Sequence, residues 1–137
     1  MTYALDTNTV SFLIKGEHTV VKNFREKIIE KENNYTIPYI VFYEVMRWLD
    51  YRPSVALKLL SKQFHVLFDT VEKGAAMPDS AWKKASDIYV GLRQSGQLIG
   101  DADILIAAYC IVNGFTLVTD NAKDFCRISG LAFVNWR

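Results

Sequence analysis

Short β-prone runs alternate with amphipathic helical stretches along this 137-residue chain, and that alternation leaves few architectures open. Strands that return after helical crossovers lie parallel, and a parallel sheet is covered by helices on both faces. Tyr3 to Leu5 is a short apolar run that ends on an acid and predicts the first strand. His18 to Asn33 places Val21, Phe24 and Ile28 on one face, with Lys22, Arg25, Glu26, Lys27 and Glu30 elsewhere, as in an amphipathic helix. Tyr35-Thr36-Ile37 is β-prone and stops at Pro38, ahead of a helix from about Ile40 to Asp50. Pro53 opens a further predicted helix to about Lys62, and His65 to Phe68 reads as a strand. Asp79 is the expected N-cap of a helix reaching Arg93, with Trp82, Ala85, Tyr89 and Leu92 as its buried stripe. A helix after Gly100 runs through Val112 and closes on Asn113-Gly114. Phe115 to Thr119 and Leu131 to Val134 supply the remaining strands. The expectation is an α/β fold, one domain over residues 1–137, with a central parallel sheet flanked by helices.

Half of the residues are hydrophobic, enough to fill one core. The longest unbroken apolar run, Ile104 to Val112, is far short of the ~20 residues a bilayer span needs. The first six residues carry neither a basic region nor a signal-like apolar stretch, so a cytoplasmic protein with no membrane partner is expected. Cys110 and Cys126 lack metal-ligand spacing and are read as reduced core residues.

Four acids fall where a parallel α/β sheet builds its sites, beyond the carboxyl ends of strands. Asp6 ends the first strand and Asp120 ends the run Phe115 to Thr119. Asp103 begins the helix after Gly100, and Glu44 lies in the first turns of the helix after Pro38. Glu44 shares helical spacing with Val41, Val45 and Trp48, and Asp103 shares it with Ile106, Ala107 and Cys110. A carboxylate on a core-facing stripe is costly unless something pairs with it. Cationic side chains are scarce: Arg47 lies one turn beyond Glu44, and no Lys or Arg occurs between Arg93 and Lys123. A divalent cation would relieve the repulsion, and an all-oxygen donor set favours Mg²⁺ or Mn²⁺ over zinc. The net charge is +1, but setting these four acids aside leaves 16 basic residues against 11 acidic ones. That balance permits a phosphate-backbone substrate. Asp101 is read as a helix cap, Asp69 and Asp124 as surface acids, and His18 and His65 as surface or packing residues.

The local wording is specific. Leu5-Asp6-Thr7-Asn8 resembles the opening motif of PIN domains. Ile99-Gly100-Asp101-Ala102-Asp103-Ile104-Leu105-Ile106-Ala107-Ala108, followed by Leu117-Val118-Thr119-Asp120-Asn121-Ala122-Lys123-Asp124-Phe125, resembles the later half of VapC-type toxins, as does Gly130-Leu131 to Asn135-Trp136. The likeness implies a three-layer PIN-like fold, and an endoribonuclease acting as the toxin of a toxin–antitoxin pair. It also implies Mg²⁺ or Mn²⁺, a structured RNA substrate such as transfer RNA, a cognate antitoxin and a homodimer. By position Asp6, Glu44 and Asp103 match the first three acids of the family, and these would hold the metal. The fourth place stays open between Asp120 and Asn121, since many members carry an acid where this chain has Asn121. Thr7 and Thr119 would support the carboxylates through their hydroxyls. Phe42, Trp48, Leu49, Tyr51, Leu57 and Leu60, on the helices of residues 40 to 62, are the expected subunit and partner surface.

Other readings compete. A haloacid-dehalogenase-like phosphatase would need acids where Asn8 and Leu105 stand, and a receiver-like phosphoacceptor, with Asp69 after the strand His65 to Phe68, would need an acidic pair after the first strand. A catalytically weakened PIN-like domain that only binds RNA or protein is the remaining alternative, favoured by Asn121.

Overall fold

A computed structural model describes residues 1–52, 54–71 and 77–137. The chain order is β1 (Thr2–Leu5), α1 (Thr7–Ile14), α2 (His18–Phe24), a π-helical turn (Arg25–Ile29), β2 (Asn34–Thr36) and α3 (Tyr39–Tyr51). There follow α4 (Val55–Asp69), α5 (Asp79–Gln94), α6 (Asp101–Asn113), β3 (Thr116–Val118), α7 (Ala122–Phe125) and β4 (Phe133–Val134). The described strands form one four-stranded sheet in the order β2-β1-β3-β4. All three pairings are parallel: Ala4 stands opposite Thr36 and Leu117, and Val118 opposite Val134. This is the expected α/β architecture with a parallel sheet between helices.

The central strands are buried for the reason parallel strands usually are. Ala4 and Leu5 of β1 and Leu117 and Val118 of β3 have no exposed surface, and helices cover both faces. Helix α6 packs Ile106, Ala107 and Cys110 into that core, and its run ends at Gly114, whose φ of 69° is the left-handed conformation glycine adopts without strain. Tyr109 is buried on the same helix and its hydroxyl meets that of Thr36 on β2 at 3.2 Å.

Several expectations change. The run His65 to Phe68 is helical, not a strand, because it continues α4: Phe64 and Phe68 are buried one turn apart while Val66 faces out. Phe42 of α3 stacks against both, with ring centroids 5.7 and 4.6 Å away. Aromatic pairs of this kind add roughly 0.5–1.5 kcal/mol each beyond burial. With that strand gone, the receiver-like reading of Asp69 loses its support. The α2 segment buries Val20 and Ile28, whereas Val21 is exposed, and a π turn replaces α-helix from Arg25. On α5 the buried stripe is Ala81, Ala85, Ile88 and Leu92; Trp82 is 55% exposed and Tyr89 half-buried. Asp79 is the first helical residue, with Pro78 in the cap position. Cys110 is buried, but Cys126 is exposed and no core residue. The expected helix start at Pro53 lies outside the described residues. No helix among the described residues is long and apolar enough to cross a membrane.

Candidate active site

Asp6 is placed by two backbone requirements at once. Its amide extends the ladder to the Val118 carbonyl (3.2 Å), and its carboxylate caps α1 by accepting the Thr9 amide at 2.8 Å. The Thr9 hydroxyl in turn donates to the Val118 carbonyl at 2.9 Å, so the end of β1 is stitched to the end of β3. Asp6 is only 6% exposed. Burial raises its carboxyl above the ordinary range, the Thr119 hydroxyl and Thr9 amide oppose that rise, and nearby Asp120 adds to it.

Thr7, next along, donates its hydroxyl to Glu44 Oε1 at 2.7 Å, joining α1 to α3. The other Glu44 oxygen faces Arg47 at 3.5 Å, one turn along the helix. Asp103 stands in the first turn of α6, half-buried, behind Gly100, which gives the helix no side-chain cap. Burial first, then the negative charges of Glu44, Asp6 and Asp124, push the Asp103 carboxyl up to about 6. Three acids, from the end of β1, from α3 and from α7, therefore bear on Asp103 at the start of α6.

Asp124 is the acid that sequence reasoning passed over as a surface residue. Its signal was the neighbour: Phe125 is 1% exposed and pins the short helix α7 at the end of β3, fixing where Asp124 points. Asn121 is tied to it, donating through Nδ2 to Asp124 Oδ2 at 3.1 Å, while the Asn121 amide donates to the Thr119 hydroxyl at 3.0 Å. Arg127 lies 3.8 Å from the other Asp124 oxygen. Asp120 has different company. Asn8 Nδ2 donates to one of its oxygens at 3.2 Å and Arg137 Nη1 lies 3.7 Å from the other. Asp101 is exposed and does not cap α6: Ile104 donates to the Gly100 carbonyl, not to Asp101. The expected capping role falls because the helix begins at Asp101 itself.

The donor set fits a hard divalent cation in kind. Every group is a carboxylate, and the one nearby thiol, Cys110, is pushed up to about 12 by burial and by Asp6, so it stays protonated and supplies no soft ligand. Among the described residues no three His, Cys, Asp or Glu side chains stand as a ready metal-holding group. The carboxylates instead turn oxygens to the Thr9 amide, the Thr7 hydroxyl and Arg47.

Carboxylates thus gather beyond the carboxyl ends of β1 and β3, where parallel α/β sheets place their sites. The PIN-domain family matches residues 3–131. Ribonuclease VapC2 of Rickettsia felis is 32% identical over 139 residues, spanning 99% of this chain and 98% of its own length. Ribonuclease VapC1 of Haemophilus influenzae (strain R2866) is 24% identical with the same coverages. Among solved structures, VapBC2 from Rickettsia felis, bound to a DNA fragment from its promoter, superposes with a TM-score of 0.85 at 28% identity and full coverage of both chains. VapBC-1 from nontypeable Haemophilus influenzae gives 0.84 at 22% identity, covering 99% of this chain and 98% of that one, a likeness of fold. The chain belongs to the PIN-domain family, as a ribonuclease of the VapC type.

Proposed function

We propose that this chain is a Mg²⁺- or Mn²⁺-dependent endoribonuclease that cuts structured RNA, transfer RNA being the expected class, and acts as the toxin of a toxin–antitoxin pair. The observation that carries the reading is the crowding of Asp103 by Glu44, Asp6 and Asp124 at the carboxyl ends of β1 and β3. Such repulsion is disfavoured unless a cation serves the site. Asp6, Glu44 and Asp103 would hold the ion, with Asp124 beside them. When bound, Mg²⁺ or Mn²⁺ supplies Lewis acidity that activates water and offsets charge on the phosphoryl oxygens.

The chain's own groups set the geometry. The Thr7 hydroxyl fixes one oxygen of Glu44 and leaves the other to Arg47. Thr119, only 1% exposed, holds Asp6 through its hydroxyl. Asn121 holds Asp124 in place, so an asparagine at that position serves an acid three residues later. This weakens the reading of a PIN-like module that binds without cutting, which rested on Asn121 alone. Two solved relatives are described as a VapBC-family toxin–antitoxin system from Mycobacterium tuberculosis and a toxin–antitoxin complex from Klebsiella pneumoniae, and a cognate antitoxin is proposed for this chain on that likeness. A homodimer through the α3–α4 region is proposed with it.

RNA cleavage should appear with Mg²⁺ or Mn²⁺ and vanish in EDTA. Millimolar Mn²⁺ should also raise the melting temperature by mass action on the folded state. Cleavage that survives EDTA, together with melts that ignore Mn²⁺, would remove the metal-dependent reading.

A further inference from the structure

The acids that would serve a cation also repel an RNA strand, whose phosphates are negative. Something beyond the metal has to hold the strand against that field. Arg137 is placed to do so. Its guanidinium lies 4.4 Å above the ring of Phe12, and its Nη1 is 3.7 Å from Asp120 Oδ2. The other Asp120 oxygen is occupied by Asn8 Nδ2 at 3.2 Å. Asn8 follows Thr7, which binds Glu44, so the guanidinium is linked to the acid cluster through α1.

The backbone that carries Arg137 is firmly anchored. Trp136 is 2% exposed and packs against Tyr3 and Phe24, with ring centroids 5.3 and 6.5 Å away. Its carbonyl accepts Asn23 Nδ2 at 3.0 Å, and the Arg137 amide donates to Asn135 Oδ1 at 2.9 Å. The side chain, by contrast, is 57% exposed. Glu17 is a second acid within electrostatic reach of it, but an exposed ion pair of this length holds weakly, and the two non-bridging oxygens of a phosphodiester suit its planar fork.

Resting on the ribonuclease reading above, we propose that Arg137 is a phosphate-binding residue of the site, gripping an RNA phosphodiester beside the one that is cut. Asp120 is then the positioning residue for Arg137 and not a metal ligand, with Phe12 as the platform. Asp120 accordingly gives one oxygen to Asn8 and turns the other to Arg137.

The test is binding of a fluorescently labelled RNA in EDTA, where nothing is cut, followed by anisotropy across a salt series. Arg137→Gln should weaken binding roughly tenfold, the usual worth of a charged hydrogen bond. It should also flatten the slope of log affinity against log salt by about 0.7, the value for one phosphate contact on a single strand. Arg137→Lys should restore the slope, since the charge is kept. Asp120→Ala should weaken binding by less, and it should leave the Mn²⁺-induced rise in melting temperature intact. An Arg137→Gln protein that binds RNA as tightly as the wild type, with an unchanged slope, overturns the proposal. Loss of the Mn²⁺ effect in Asp120→Ala overturns the assignment of Asp120. A wild-type chain that neither cuts nor binds RNA removes the ribonuclease reading and this one with it. A wild type that does both, beside an equally competent Arg137→Gln, removes this one alone.

Discussion

Asp103 and Asp101 are two positions apart and electrostatically unlike. Asp101 is exposed at the start of α6, whereas Asp103 is half-buried among acids that lift its carboxyl to about 6. Between pH 4 and 6 the folded chain keeps a proton there that the unfolded chain has released. Stability therefore falls as pH rises through that window and stays lower above it. In EDTA, Asp103→Asn should melt above the wild type at pH 7 and lose that advantage near pH 4. The same variant should lose RNA cleavage and show a much smaller Mn²⁺-induced rise. Asp101→Asn should change little, because Asp101 makes no cap bond and its interaction with the helix dipole is worth a few tenths of a kcal/mol. Melting curves at the two pH values and a cleavage assay check both variants. A wild type that melts above Asp103→Asn at pH 7 in EDTA would contradict the crowding argument.

At the scale of elements, the sequence was most legible where a helix had both a clear start and a clear stop. The α6 helix, from after Gly100 to a left-handed Gly114, and α3, following Pro38, lie where spacing and punctuation put them. The π turn after Phe24 has no marker in the sequence, and His65 to Phe68 fooled the period because so short a run, with three apolar residues, fits either a strand or the end of a helix. Trp82 shares helical spacing with Ala85, Tyr89 and Leu92, but the face that meets the core is turned by one residue, to Ala81, Ala85, Ile88 and Leu92. The acids Asp6, Glu44 and Asp103 were visible as charges in apolar company, but Asp124 was not, since its burial depends on Phe125 and on a helix of four residues. Asp6 shows how closely element and site are joined: the same carboxylate caps α1 and faces the acids. Asp6→Asn should keep the cap and abolish metal-dependent cleavage. Asp6→Ala should lose about 1 kcal/mol of helix capping as well. Denaturant melts of both proteins separate the two roles. Equal stability of the alanine and asparagine variants would mean that the cap contributes nothing.

Across the whole molecule, the exposed apolar surface is unevenly spread. Tyr51, Val55, Leu59 and Val66 of α3, α4 and their junction are all more than half exposed, as are Tyr39 and Tyr43. Of the residues expected to form an interface, Leu49 is buried and Phe42 is occupied by Phe64 and Phe68, leaving Tyr51 as the exposed member. The outward-facing set is the better guide to a subunit or antitoxin contact, because its area is not yet used by the core. Light scattering at tens of micromolar should report a dimer, and replacing Leu59 and Val66 by Gln should weaken it with the melting temperature nearly unchanged. A strict monomer at that concentration would dismiss the subunit proposal.

The strand order has a further consequence. β1, made before the other three described strands, sits in the middle of the sheet between β2 and β3, and Asp6 has its backbone partner at Val118. A ribosome that has produced Asp6, Glu44 and even Asp103 has not yet supplied the strand that holds the first of them in place, nor Asp124 and Arg137. The acids thus come together only after β3 has been made. Until β3 follows, Asp6 lacks the backbone partner that fixes it, so the acids are made long before they are assembled.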